Sequence, residues 1–164
     1  MDTFLPESYV PPTTSNNYLK WAKGNTRFRF LSSPITGWVY FTQDDEGKKS
    51  VFRVRPTEEA PAAVLRAKHF WAAIVWDYQT ESLKILEITQ KSIQAAILNL
   101  NSNKAWGNPK EYDLCVTREG EDLNTTYSVM PEPKTPIDEE IIEESKKINL
   151  EALYGGADPF AGMN

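Results

Sequence analysis

The stretch Asn25-Thr26-Arg27-Phe28-Arg29-Phe30-Leu31 alternates strictly, with Thr26, Phe28 and Phe30 on one side and Arg27 and Arg29 on the other. A period of two belongs to a half-buried β-strand, whose successive side chains point to opposite faces. Ser32-Ser33-Pro34 follows, and then Ile35 to Thr42, rich in the β-branched and aromatic residues that suit a pleated surface. Residues 25–42 therefore read as one long, bent first strand, and the remaining segments are placed outward from it.

Downstream, Asp44-Asp45-Glu46-Gly47 is a turn, and Lys48 to Arg55 alternates again, so a hairpin is expected. Pro56, Glu58-Glu59 and Pro61 interrupt the pattern. Lys68 to Tyr78 and Ser82 to Thr89 then form a pair of strands around Gln79-Thr80-Glu81. Gln90 to Asn101 switches to helical spacing, with Ile93, Ile97 and Leu100 on one side. Trp106-Gly107-Asn108-Pro109 is a loop, and Tyr112 to Arg118 and Thr125 to Met130 are short strands around Glu119-Gly120-Glu121-Asp122. This order predicts a mainly β fold. Its pattern is that of an oligonucleotide/oligosaccharide-binding (OB) fold, a five-stranded barrel with one helix between strands three and four, here with an added β-hairpin arm. The expected organisation is an extended N-terminal arm over 1–17, the nucleic-acid-binding domain over 18–133, and a flexible acidic C-terminal tail over 134–164, partly helical or disordered.

Charge is distributed unevenly. Residues 1–130 hold 15 Lys+Arg and 15 Asp+Glu, whereas 131–164 hold 3 and 8, so the second part carries the entire net charge of −5. Within the neutral part, residues 18–55 contain eight basic and three acidic residues, a local +5. Aromatics interleave with those bases, Tyr18 and Phe52 among them. A single nucleic-acid strand needs this mixture, because its phosphates want cations and its unstacked bases want flat rings. The candidate DNA-binding residues are Lys20, Trp21, Lys23, Arg27, Arg29, Trp38, Tyr40, Lys48, Lys49, Arg53, Arg55, Trp71 and Lys84. Phe28 and Phe30 are assigned to the core, Arg27 and Arg29 to an open strand face, and Trp21 to an exposed position. Alternation separates Phe70, Ile74, Trp76 and Tyr78 from His69, Trp71, Val75 and Asp77, and which set faces a ligand stays open.

Other classes find little footing. No apolar run approaches the roughly 20 residues of a membrane span, and the N-terminus lacks the basic start and apolar stretch of a signal peptide. A cytoplasmic, non-membrane protein is expected. His69 and Cys115 cannot form a zinc site alone, Cys115 reads as a small buried hydrophobe, and Asp44-Asp45-Glu46 reads as a solvated turn. There is no phosphate loop or nucleophile elbow, so neither enzyme activity nor a cofactor is expected. In the tail, Glu139, Glu140, Glu143 and Glu144 precede Lys146 and Lys147, which suits a helix dipole. The terminal Asp158-Pro159-Phe160 is a candidate partner-binding tip, and a tethered polyanion can compete with DNA for a basic groove.

The run from Lys68-His69-Phe70-Trp71 through Trp76-Asp77-Tyr78, Ile85-Leu86-Glu87-Ile88-Thr89-Gln90, Trp106-Gly107, Tyr112-Asp113-Leu114, Thr117-Arg118-Glu119-Gly120 and Thr126-Tyr127-Ser128-Val129 resembles bacteriophage single-stranded DNA-binding proteins. The resemblance spans roughly residues 4–133. It implies an OB fold, sequence-independent binding of single-stranded DNA, and a role in phage replication, recombination and repair in the host cytoplasm. It also implies that the acidic tail contacts phage or host replication proteins and modulates DNA access. The tip resembles the acidic Pro-Phe ends of cellular single-strand binders, but departs from them because Ala161-Gly162-Met163-Asn164 follows the phenylalanine. Homodimer formation and cooperative assembly on DNA stay open. The other readings are a protein–protein adaptor that does not touch nucleic acid, a single-stranded RNA binder and, last, a nuclease.

Overall fold

Residues Lys68 to Asp77 form the strand on which the others are organised, and their sequence explains why. KHFWAAIVWD is apolar on both sides, so both faces of this strand need cover. The computed structural model describes residues 4, 17–56 and 67–163. Of the expected arm over 1–17, all but Phe4 and Asn17 lies outside the described residues, as does most of the Pro56–Pro61 interruption.

Seven strands among the described residues join one open antiparallel sheet. In chain order they are β1 (Gly24–Phe30), β2 (Ile35–Gln43), β3 (Lys49–Val54), β4 (Lys68–Asp77), β5 (Ser82–Ile88), β6 (Leu114–Glu119) and β7 (Thr126–Pro131). The helix α1 (Lys91–Ser102) lies between β5 and β6. The expected long first strand is broken at Leu31–Pro34 into β1 and β2. Both segments nonetheless run along one edge of β4, β1 pairing Phe30 with Val75 and β2 pairing Ile35 with Ala72. β5 takes the other edge of β4, from Trp71↔Ile88 to Asp77↔Ser82. β6 pairs with β1, and β7 with β6. The edge of β5 is partly covered by residues 17–19, whose backbone bonds with both the N–H and the C=O of Ile85.

The β2–β3 hairpin forms as its alternation suggests, and Gly47 turns it with a φ of 86° that an L side chain rarely adopts. Gly37, at its base, has a different reason. An added Cβ there would collide with the Val54 carbonyl, so only glycine lets β3 fold this closely over β2.

Two apolar clusters lie on opposite faces of the sheet. On the inner face Phe28, Phe30, Ala73, Val75, Leu86, Leu114 and Val116 meet Ile93 and Ile97 of α1, which packs over β7. On the outer face Val39, Phe70, Ala72, Ile74 and Ile85 meet Ile148, Leu150 and Leu153 of the C-terminal segment. That segment departs from the expectation of a flexible tail. It contains the helices α2 (Glu139–Ser145) and α3 (Ala152–Gly155), and the Tyr154 hydroxyl donates to the Thr36 carbonyl at 2.5 Å. The reason is the apolar side of β4 and β2, which would otherwise stand in water; burial of such surface contributes about 25 cal/mol per Å². The Pro159-Phe160 tip is held as well. Pro159 is buried, its carbonyl accepts from the Asn149 N–H at 2.9 Å, and Phe160 packs against the outer cluster.

Candidate nucleic-acid interface

The two sides of β2 have different fates. Val39 points to the outer cluster, whereas Thr36, Trp38 and Tyr40 share the inner side. Opposite them stand Trp71 and His69 of β4 and Val54 and Phe52 of β3. Beyond the reach of α1 this side of the sheet runs out into the hairpin arm. There Tyr40 and Phe52 stack on each other at 5.5 Å between ring centres and 18° between planes, and Phe52 is 44% exposed. Trp38 meets the His69 ring edge-on at 5.5 Å. Same-side positions on a strand recur about every 7 Å. Thr36, Trp38 and Tyr40 thus form a line ending at the exposed Lys48 and Lys49 of the hairpin tip.

At its other end the line opens into a cavity of about 340 Å³ between α1, the β1–β2 connection and the Asn108–Lys110 loop. Thr36 and Trp71 belong to both the line and the cavity wall. Ile97 and Leu98 close one side, and Leu98 is 56% exposed. The polar wall residues are Ser32, Ser33, Thr36, Asn101, Asn108 and Lys110.

The structure divides the expected basic stripe rather than assembling it. Arg29 departs most from expectation: it is 2% exposed, not on an open face. Its guanidinium donates to Asp113 at 2.7 Å and to the carbonyls of Lys110 and Thr135 at 3.2 and 2.6 Å. Arg27 reaches the other Asp113 oxygen at 2.6 Å and lies over the Tyr78 ring at 4.8 Å. Tyr78 donates to Asp113 at 2.7 Å. Burial alone would push the Asp113 carboxyl up, but its three donors outweigh this and hold it below the usual carboxylate range. The Tyr78 hydroxyl is pushed up to about 12 by burial and by its bond to that carboxylate.

Arg53 pairs with Glu87 at 2.5 Å on the outer face. Arg55 pairs with Glu151 at 3.1 Å and covers the Tyr154 ring at 4.5 Å, so it holds the C-terminal segment. Lys84 is largely buried against Asp77 at 2.9 Å, and Lys23 pairs with Glu121 at 3.4 Å. Trp21 is not exposed as expected but half-buried beside Phe28 and Tyr127, with its indole N–H donating to Gln90 at 3.3 Å. Lys20 is exposed. Cys115 is half-buried, and burial raises its thiol.

Of the expected residues, therefore, Trp38, Tyr40 and Trp71 come together on one side of the sheet, with Lys48 and Lys49 at its tip. Arg27, Arg29, Arg53, Arg55, Lys23 and Lys84 are taken up by acidic partners. The sequence reading missed Lys110, Asn101 and Ser33, which have no shared spacing and are gathered only by the packing of α1. No group of three or more metal-ligating side chains occurs among the described residues, and no helix there is long and apolar enough to cross a membrane. Comparison of the chain with protein-family models, with curated proteins and with solved structures gives no match.

Proposed function

We propose that this protein binds single-stranded DNA, without catalysis and largely without sequence preference, along the inner side of the β2–β3 arm. The observation that carries the proposal is the line of Trp38, Tyr40 and Phe52 on one side of the sheet, with Lys48 and Lys49 at its end. Rings spaced along a strand offer stacking surfaces for successive bases, each worth about 1–3 kcal/mol whatever the base. Ion pairs engage all four expected arginines and bury Arg29 and most of Arg53, so stacking carries more of the binding than phosphate attraction does.

The strand pairings support an OB reading of the fold. β1 and β2 together take the role of a first strand shared by β4 and β6, with α1 between the third and fourth strands of the set. The service to phage replication, recombination and repair rests on the sequence resemblance. The acidic C-terminal segment lies on the outer face, opposite the aromatic line, so in this reading it competes for DNA or recruits partners through its tip only after undocking.

A titration with oligo-dT at low salt tests the proposal. Binding with quenching of tryptophan fluorescence is expected, and the double change Tyr40→Ala and Phe52→Ala should weaken it at least tenfold. Absence of binding by the native chain at low salt rejects the proposal. The adaptor reading has one observation in its favour: Phe41, 59% exposed, stands opposite the exposed Val51 on the outer side of the same arm. It predicts no oligonucleotide binding to lose.

A further inference from the structure

We infer that the cavity beside α1 receives one unstacked base of the bound strand, with the adjoining phosphate at Lys110; this rests on the single-stranded DNA reading above. The volume of about 340 Å³ falls within the range of roughly 300–1,000 Å³ typical of small-ligand sites. Its walls divide by chemistry. Trp71, Leu98 and Pro109 provide apolar surface, one of them a flat ring. Ser33, Asn101 and Lys110 provide polar groups. A nucleotide unit has the matching parts: apolar faces, an edge of donors and acceptors, and an anion. An asparagine amide donates and accepts at once, so Asn101 can meet any base edge.

Charge narrows the ligand class. Among the described residues Lys110 is the only charged one in the cavity wall, and its ammonium joins no ion pair there. The second cavity, of about 630 Å³ beneath the C-terminal segment, is lined instead by Asp138, Glu140, Glu144 and Asp158. It repels the anion that the first attracts. Continuity then favours a strand over a free nucleotide. Thr36 and Trp71 are shared between the cavity and the aromatic line, so a chain lying along Tyr40 and Trp38 arrives at the opening.

Blocking variants of the full-length chain test this. Leu98 is exposed at the wall, so Leu98→Trp fills the opening without disturbing the core, and Asn101→Ala removes the amide. Near-ultraviolet circular dichroism checks that each variant keeps its packing. The two ligands are oligo-dT and an abasic sugar-phosphate oligomer of the same length. Leu98→Trp should weaken oligo-dT binding about tenfold yet leave abasic binding within about twofold. Lys110→Gln should weaken both. If Leu98→Trp and Asn101→Ala bind oligo-dT like the native chain, the cavity assignment falls and the aromatic line stands. If thymidine monophosphate alone occupies the cavity, and Leu98→Trp blocks it while leaving oligo-dT unaffected, assignment to the strand falls. Failure of the native chain to bind oligo-dT removes the underlying reading and this inference with it.

Discussion

Asp113 shows how one residue can join distant parts of a chain. Its carboxylate is 1% exposed and accepts from Arg27 and Arg29, both on β1, and from Tyr78, which follows β4. Arg29 passes the link on to Thr135 and so ties down the chain that leaves β7. Removing one partner of a buried pair costs about 3–5 kcal/mol, because the other is left charged and unsatisfied. Asp113→Ala should therefore lower the urea midpoint sharply, and its loss of oligonucleotide binding should follow its loss of folding. The pH dependence has a definite sign. The Asp113 and Asp77 carboxyls are both held below the usual value near 3.9. Each contributes stability that is present above that value and lost as pH falls through the lower folded-state pKa. An acid titration of the native chain followed by circular dichroism should show unfolding below about pH 4. In Asp113→Ala the same titration should have a shallower slope.

Among the elements, the C-terminal segment and the hairpin arm behave as opposites. The segment carries seven of the acidic residues and was expected to be flexible, partly helical or disordered, yet Ile148, Leu150 and Leu153 bury themselves on the outer face of β4. Arg55 adds an ion pair to Glu151 and a cation–π contact to Tyr154. Truncating a buried leucine costs about 2–5 kcal/mol, so Leu153→Ala should destabilise the whole protein in a single denaturant transition. Unchanged stability would mean that the segment docks too weakly to matter. The arm instead has Tyr40 and Phe52 on one side and Phe41 and Val51 on the other, with little packed over either at its tip. That exposure makes the arm the element best placed to take a ligand.

On the scale of the whole molecule, the local +5 over residues 18–55 does not survive folding as a positive surface. Six of the thirteen candidate residues face acidic partners drawn from elsewhere in the chain. The exposed lysines at the arm tip and at the cavity remain. Salt dependence should reflect this small number. Each phosphate neutralised on a single strand contributes about −0.7 to the slope of log K against log salt. Removing Lys48 and Lys49 together should reduce the magnitude of the slope by about 1.4, whereas Arg53→Ala should leave it unchanged. An equal loss for both would restore the arginines to the interface.

Local sequence determined what local physics can determine. Period-two alternation placed β1 and β3, the switch to helical spacing placed α1, and Gly47 marked the turn between β2 and β3. The order of these elements, and hence a mainly β architecture, was legible for the same reason: each signal lies within a few neighbouring residues. Tertiary structure alone decided which charges are free. An arginine on an alternating strand looks the same whether it faces water or Asp113, and that carboxylate lies more than eighty residues away. It also decided that β4 is covered on both faces. The C-terminal isoleucines and leucines carry no mark of their destination until the sheet supplies an apolar surface of matching shape.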